Sequence, residues 1–235
     1  MSRAPIAVAL DAPDLDTAAE WAAQVTPHVS TLKIGLELYL RYGPEVVASV
    51  RGARGVDVFL DLKLHDIPAT VGGAARGVAK LRPDLLTVHA AAGPAAIKAA
   101  VQALPDTMIV GVTVLTSLDD ADLDLIGLAG PVPDAACRLA SLAVRAGARG
   151  LVCSPREVAA VRAEVGPDIT LITPGIRLTG QANDDQARVA TPQQALRNGA
   201  DLLVIGRSIT TAADPGAAAA ALAADLRRPA TPAAR

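Results

Sequence analysis

Eight short apolar runs, each followed by a stretch with the hydrophobic spacing of a helix, recur along the chain. The runs are rich in Val, Ile and Leu and lie at residues 6–10, 31–35, 56–60, 85–89, 108–115, 150–153, 169–173 and 201–205. The helical patterns cover residues 14–25, 44–50, 67–81, 94–104, 139–144, 155–165, 192–198 and 215–226. Strands that are buried on both faces show continuous apolar runs, and helices that alternate with them favour a parallel sheet.

This alternation predicts an α/β fold, a closed (β/α)8 TIM barrel, in a single domain. An open doubly wound sheet usually has fewer strands and a glycine-rich turn after the first one, and no such turn follows Leu10. Barrels of this kind commonly reach about 250 residues without division, which fits the 235 residues of this chain. We assign residues 1–227 to a barrel that is the catalytic domain, and residues 228–235 to a disordered tail.

The composition argues against several classes of function. The formal net charge is −2, so no excess of positive charge attracts nucleic acid or an anionic membrane. Aromatic residues make up only 2% of the chain, too few for a surface that stacks on bases. Cys137 and Cys153 are too few for a disulfide framework or a cysteine-based zinc site. We therefore expect a cytoplasmic protein without signal peptide or membrane span, acting on a small molecule.

The most unusual polar stretch runs from Asp61 to Thr70, directly after the third apolar run. Side chains alternate faces along a strand, so Asp61 and Lys63 point the same way, and Asp66 follows where the chain enters a helix. A structural salt bridge needs one acid and one base, so the second carboxylate is a metal ligand, a base or a source of electrostatic stress. The competing interpretation is a solvated, charged strand end, which the spacing alone leaves open.

Polar residues follow other predicted strands too, at the ends where barrels place their active sites. They are Asp11, Lys33, His89, Thr116, Arg177 and Arg207. Only four of the 22 basic residues are lysines, yet Lys33 and Lys63 both stand at strand ends beside acids. An amine can exchange a proton there and a guanidinium cannot. We leave His89 out of the catalytic set, because a single rim histidine is more often structural.

The last two units carry glycine and arginine at the corner where barrels frequently bind a phosphate. Pro174-Gly175-Ile176-Arg177 follows the seventh strand and Gly206-Arg207-Ser208 follows the eighth. Glycines let backbone N–H groups approach an anion, and arginine donates a fork of hydrogen bonds to it. We predict a phosphate site here, with Gln186 of the polar loop 176–190 closing over the anion as part of a lid.

With these motifs, the sequence resembles the bacterial branch of the orotidine 5′-phosphate decarboxylase family from about Ala7 to Pro215. The segments that carry the resemblance are Val8-Ala9-Leu10-Asp11, Leu32-Lys33-Ile34-Gly35, Asp61-Leu62-Lys63-Leu64-His65-Asp66-Ile67-Pro68, Val112-Thr113-Val114-Leu115-Thr116-Ser117, Thr173-Pro174-Gly175-Ile176-Arg177 and Val204-Ile205-Gly206-Arg207. Ala69 stands where bacterial relatives often carry Asn, a position that should not carry the chemistry.

The resemblance implies a cofactor-independent, metal-free lyase that converts orotidine 5′-phosphate to uridine 5′-phosphate in de novo pyrimidine biosynthesis. It also implies a homodimer with shared active sites. The catalytic residues would be Lys33, Asp61, Lys63, which protonates C6, and Asp66, which with Thr70 serves the neighbouring subunit. The remaining substrate contacts would be Asp11 and Lys33 to the ribose, Thr116 and Ser117 to the pyrimidine edge, Pro174 beside the ring, and Gln186, Gly206 and Arg207 to the phosphate, with Arg177 nearby.

Two other functions compete with this hypothesis. The sister branch of 3-keto-gulonate 6-phosphate decarboxylases and hexulose-phosphate synthases shares the Asp-x-Lys-x-x-Asp pattern but uses Mg²⁺ and an enediolate. Those relatives typically carry an acid near the Lys33 position, and a lysine there disfavours a divalent cation by repulsion. A catalytically silent phosphate-binding barrel would account for Gly206 and Arg207, but it leaves the paired lysines and acids unexplained.

Overall fold

Eight parallel strands close into a barrel in the computed structural model, which describes residues 3–51, 55–176 and 190–228. The strands are β1 (Ala4–Ala9), β2 (Val29–Gly35), β3 (Asp57–Leu64), β4 (Leu85–His89), β5 (Met108–Val112), β6 (Gly150–Val152), β7 (Thr170–Thr173) and β8 (Leu202–Ile205). Each strand pairs with the next one in sequence, and β8 pairs with β1 to complete the closure. The predicted TIM barrel is confirmed.

Helices connect successive strands around the outside of this barrel. They are α1 (Leu15–Val25), α2 (Leu36–Tyr42), α3 (Glu45–Val50), α4 (Pro68–Val78), α5 (Pro94–Ala103), α6 (Asp120–Leu125), α7 (Val132–Arg145), α8 (Val158–Val165), α9 (Pro192–Arg197), α10 (Arg207–Thr210) and α11 (Pro215–Arg227). The Asp14 side chain accepts the Thr17 N–H at 2.8 Å and caps α1, and Asp214 caps α11 through Ala217 in the same way. Pro68 begins α4, where its missing N–H costs no hydrogen bond. Among the described helices, none is both long and apolar enough to cross a bilayer.

The structure differs from the sequence prediction mainly at the ends of strands. The sequence analysis did not predict α2, α6 and α10, because helices of seven, six and four residues show little helical period and these three have no proline to mark their start. β3 continues to Leu64 instead of ending at Leu60, so Asp61 and Lys63 lie inside the strand. β5 ends at Val112, three residues earlier than predicted. The predicted tail, apart from Arg228, lies outside the described residues.

Hydrophobic side chains pack in two layers, one inside the barrel and one between the strands and the helices. The inner layer consists of Ala7, Phe59, Leu85, Val110, Ile172 and Leu202. The outer layer is larger and includes α7, which approaches β5 so closely that a Cβ atom on Gly111 would lie 2.6 Å from that of Ala143. Since the inner layer fills the barrel, the open space for a ligand lies above it, at the ends of the strands.

Arg162 of α8 fixes the starts of β7 and β8 at the opposite end of the barrel. Its guanidinium donates hydrogen bonds to the carbonyl oxygens of Gly166 at 2.7 Å, Ile169 at 2.8 Å and Gly199 at 2.9 Å. It also forms a salt bridge with Asp201, whose carboxylate accepts the backbone N–H at the second residue of β7. One side chain therefore joins the last two strands to the helix between β6 and β7.

Candidate active site

A cavity of about 290 Å³ opens at the C-terminal ends of the strands. Eight residues from the predicted site line it, contributed by β2 and β3 and by the segments after β1, β5, β7 and β8. They are Asp11, Lys33, Asp61, Lys63, Thr116, Pro174, Gly206 and Arg207. Parallel strands bring their carboxyl ends to the same rim, which is why residues so distant in sequence meet here.

Three of these residues form a chain of charges across the cavity floor. Lys63 Nζ lies 2.8 Å from Asp61 Oδ1, and Lys33 Nζ lies 3.3 Å from Asp61 Oδ2, so each carboxylate oxygen faces one amine. Lys33 Nζ is also 3.9 Å from Asp11 Oδ1. Lys33 and Asp61 are buried, whereas the side chain of Lys63 is 36% exposed. The charges alternate in sign, and Lys63 carries the more accessible of the two amines.

The two amines keep Asp61 ionised despite its burial. Desolvation by burial would raise the pKa of this carboxyl, but the positive charges of Lys33 and Lys63 outweigh it, so the pKa lies below its usual range. The floor of the cavity therefore holds fixed charges of both signs in a place that largely excludes water.

Gly35 leaves the space in which Lys33 and Asp11 approach each other. A Cβ atom at this position would lie 2.8 Å from Asp11 Oδ1 and 3.1 Å from Lys33 Nζ. Both distances are shorter than ordinary van der Waals contact, so a larger residue would displace one of the two charged groups. The glycine at the end of β2 thus belongs to the architecture of the charged site.

Apolar side chains form the other walls, and the sequence analysis did not identify them as site residues. They are Ala9, Phe59, Val112, Val114, Leu115, Val152, Cys153 and Val204. Strand alternation could have identified Phe59, which stands two residues before Asp61 and therefore on the same face. Burial, with a smaller contribution from Glu157, raises the pKa of Cys153 to about 12, so its thiol stays protonated and is a wall rather than a nucleophile.

Asp66, Thr70 and Ser117 do not line the cavity of their own chain. All three are exposed, and Asp66 Oδ1 accepts the Ile67 N–H at 2.6 Å. Within the described part of the chain, no amine lies within salt-bridge distance of Asp66. The single chain therefore brings together Lys33, Asp61 and Lys63, but not Asp66, the fourth predicted catalytic residue.

The predicted phosphate corner lies at the edge of the cavity, where β8 gives way to α10. Gly206 precedes this helix and Arg207 is its first residue, and both line the cavity with Pro174 and Gly175 from the segment after β7. The two remaining residues of the predicted phosphate site, Arg177 and Gln186, lie outside the described residues. An anion at this corner would meet backbone N–H groups and a guanidinium.

Two histidines stack just outside the cavity. The rings of His65 and His89 are 5.0 Å apart with an angle of 13° between their planes. His89 Nδ1 accepts the Ala91 N–H at 3.3 Å, so this nitrogen carries no proton. Burial lowers the pKa of His89 to about 4, with smaller contributions from His65 and Lys63. A neutral His89 that caps a turn fits the structural role expected for it.

Comparisons with known proteins were consistent over nearly the whole chain. Residues 4–222 match the model of the Orotidine 5′-phosphate decarboxylase / HUMPS family. A protein of Thermobifida fusca named orotidine 5′-phosphate decarboxylase is 71% identical over 225 residues, covering 96% of this chain and 97% of its own. A Frankia casuarinae protein of the same name is 58% identical, covering 95% of this chain and 88% of its own.

A solved structure shows the same similarity at the level of the fold. The crystal structure of orotidine 5′-phosphate decarboxylase from Lactobacillus acidophilus superimposes with a TM-score of 0.82 at 32% sequence identity. The match covers 96% of this chain and 100% of that one. The barrel and the order of its elements are therefore shared along the entire length of that protein.

Proposed function

The chain belongs to the orotidine 5′-phosphate decarboxylase / HUMPS family, and we propose that it converts orotidine 5′-phosphate to uridine 5′-phosphate and carbon dioxide in de novo pyrimidine biosynthesis. The observation that carries this proposal is the alternating array of Lys33, Asp61 and Lys63 at the floor of the cavity. This reaction creates a negative charge on a ring carbon, and the array provides positive charge that is already in place.

Lys63 is the proton donor in this proposal. The bond between C6 and the carboxylate carbon breaks, its electron pair stays on C6, and carbon dioxide leaves. The ring cannot delocalise this carbanion well, so a nearby ammonium lowers the barrier by attraction and then donates its proton to C6. The partial exposure of Lys63 allows water to return a proton to its amine after each turnover.

Asp61 and Lys33 prepare Lys63 for this role. Asp61 holds the Lys63 ammonium at 2.8 Å, and Lys33 balances the charge on the other carboxylate oxygen. Asp61 also repels any carboxylate bound beside it, which raises the energy of the bound substrate relative to the transition state. Because these charges are oriented before the substrate arrives, little reorganisation is needed during the reaction.

The rest of the substrate is held by groups around the rim. Lys33 and Asp11 hold the ribose hydroxyls, while Gly206 and Arg207 bind the phosphate at the edge of the cavity. Binding of the phosphate offsets the cost of desolvating the reacting end, although the phosphate itself does not react. The other assigned contacts are Thr116 and Ser117 at the pyrimidine edge, Pro174 beside the ring, and Gln186 and Arg177 near the phosphate.

We further propose that the active enzyme is a homodimer in which Asp66 and Thr70 reach the neighbouring site. Support comes from the exposure of both residues in the single chain. Ile67, directly after Asp66, is 65% exposed, and Leu36 and Leu40 are exposed after the adjacent strand β2. Exposed large apolar side chains on the segments that follow two adjacent strands are typical of a surface that another subunit covers.

The charges of the array argue against the magnesium-dependent branch of the family. A divalent cation beside Asp61 would lie close to two ammonium groups, those of Lys33 and Lys63, and both would repel it. We therefore propose that the chain's own residues carry the reaction without metal or cofactor. Free thiols at Cys137 and Cys153 support our placing of the enzyme in the reducing cytoplasm.

Conversion of orotidine 5′-phosphate by the purified protein in the presence of a chelator tests the proposal. We expect the orotate absorbance to decrease as uridine 5′-phosphate forms, at the same rate with or without the chelator. A folded protein that leaves the absorbance unchanged would overturn the assignment. Loss of activity on chelation, together with turnover of 3-keto-gulonate 6-phosphate in added Mg²⁺, would assign the chain to the sister branch instead.

A further inference from the structure

The pairing of β3 with β4 is irregular at the point where the charged residues lie. Leu60 pairs with Leu86 and Leu64 pairs with Val88. Three residues of β3 therefore lie opposite a single residue of β4. The surplus residues form a bulge that contains Asp61 and Lys63. Lys63 has a φ of +47°, in the left-handed region that residues with a side chain rarely adopt.

Thr87 is the one residue of β4 between the two paired positions, and its side chain fills the bulge. It is fully buried. Its Oγ1 accepts the backbone N–H of Lys63 at 2.8 Å and donates to Asp61 Oδ1 at 3.2 Å. The bulge removes this N–H from the regular strand ladder, and the threonine hydroxyl supplies its hydrogen-bond partner instead.

The polarity of these two hydrogen bonds is fixed. A hydroxyl has one proton, and because Oγ1 accepts from a backbone N–H, that proton is available for the Asp61 carboxylate. The same carboxylate oxygen accepts from Lys63 Nζ at 2.8 Å. A closed ring of interactions results, from the Lys63 backbone through Thr87 and Asp61 to the Lys63 side chain.

We propose that Thr87 is a positioning residue that holds the Lys63 backbone and the Asp61 carboxylate in the geometry required for proton donation. The inference rests on the proposed function, and it names a residue outside the charged array itself. Thr87 does not line the cavity, so it acts through its two neighbours rather than on the substrate. Its hydroxyl keeps the carboxylate from rotating and keeps the strained lysine backbone from relaxing into a regular strand.

A purely structural threonine would behave differently when replaced. Loss of a structural hydrogen bond lowers the stability of the fold and leaves the turnover of the folded fraction intact. Loss of a positioning contact lowers kcat in the folded enzyme, because displacement of a reacting group by about 1 Å can cost about 100-fold in rate. Nucleotide affinity should change little, since the ribose and phosphate contacts come from other strands.

Thr87→Val and Thr87→Ser separate these roles. Valine keeps the shape and removes the hydroxyl, so we expect kcat to fall by about 10- to 100-fold with a nearly unchanged KM and an unchanged Kd for uridine 5′-phosphate. Serine keeps the hydroxyl and should restore most of kcat. Thr107→Val is the matched control. Thr107 is also buried, and its hydroxyl donates a hydrogen bond of 2.8 Å to the Pro83 carbonyl, but it does not line the cavity.

Crystal structures and thermal unfolding complete the test. In Thr87→Val, the Lys63 Nζ to Asp61 Oδ1 distance should lengthen or the Lys63 φ should change, a measurement that does not depend on activity. Thr87→Val with wild-type kcat, or Thr87→Ser as slow as Thr87→Val, would overturn the inference. If Thr87→Val does not fold, Thr87→Cys takes its place with the same expected outcomes. An inactive wild type would refute the proposed function. The Lys63 Nζ to Asp61 Oδ1 distance in Thr87→Val would still decide whether Thr87 positions these two groups.

Discussion

Lys63 Nζ lies 2.8 Å from Oδ1 of Asp61, a carboxylate only two residues earlier on the same strand. The aspartate is buried and the lysine is partly exposed, so one ammonium contacts both a fixed negative charge and the open cavity. The pair therefore keeps a proton ready at the position where the proposed reaction needs one. Its consequences can be tested one group at a time.

Replacement of Lys63 by alanine should abolish turnover and leave nucleotide binding nearly unchanged. The substitution removes both the proton donor and the positive charge nearest the reacting carbon, so we expect kcat to fall by more than about 10³-fold. Stopped assays of uridine 5′-phosphate formation and calorimetric titration with that product measure the two effects. Lys80→Ala, at an exposed lysine after α4, is the control. Near-normal turnover in Lys63→Ala would remove Lys63 from its assigned role.

Replacement of Arg207 by alanine should weaken the hold on the phosphate and spare the chemistry of the ring. A hydrogen bond to a charged group contributes about 1.5–3 kcal/mol, so kcat/KM for the nucleotide should fall by about 10- to 100-fold. The slow reaction of orotidine, which lacks the phosphate, should be unaffected. Arg145→Ala on the exposed face of α7 serves as control. Equal losses with both substrates would place Arg207 elsewhere in the mechanism.

Mixing two inactive variants should restore activity if the subunits share their sites. Lys63→Ala and Asp66→Ala each disable every site of their own homodimer. A hybrid dimer, however, contains one site with an intact Lys63 and an intact Asp66. With random exchange about half of the dimers are hybrids, so recovery should approach a quarter of wild-type activity, an expectation that follows from two-fold symmetry. No recovery after exchange verified by mass spectrometry would argue against the shared site.

The stability of the protein should decrease between pH 6.5 and about 4 because of His89. The pKa of His89 is lowered from 6.5 to about 4, chiefly by burial, so the unfolded chain binds this proton first as the pH falls. Where the unfolded state binds more protons, acidification favours unfolding. His89→Asn keeps an acceptor for the Ala91 N–H and should show a weaker dependence of the urea midpoint on pH. Parallel curves for the two proteins would contradict this prediction.

The sequence predicted the barrel well because each strand is a continuous apolar run between polar segments. β4 was predicted at residues 85–89 and occurs at Leu85–His89. Alternation along a strand was also sufficient to place Asp61 and Lys63 on one face. The polar residues from Asp61 onward wrongly suggested that β3 ends at Leu60. Asp61 in fact pairs with Gly35 of β2 inside the sheet, where two lysines compensate its charge.

Other features depend on contacts that no local pattern records. Thr87 resembles any β-branched strand residue until the β3–β4 register places it opposite the bulge. Phe59 and Val112 are ordinary strand residues, and only the closure of the barrel brings them together at the wall of the site. Asp66 is a more extreme case, since the partner that we propose for it belongs to a second chain. Register and assembly, rather than composition, decide these roles.

Arg162 joins the last two strands at the end of the barrel opposite the cavity. The contacts of Arg162 that hold these strands therefore lie at one end of the barrel, and the residues that meet the substrate lie at the other end. Selection for heat tolerance can act at the Arg162 end, by improving the pairing around Asp201, without altering the catalytic rim. A library of variants limited to that lower end should yield thermally improved enzymes whose substrate preference is unchanged.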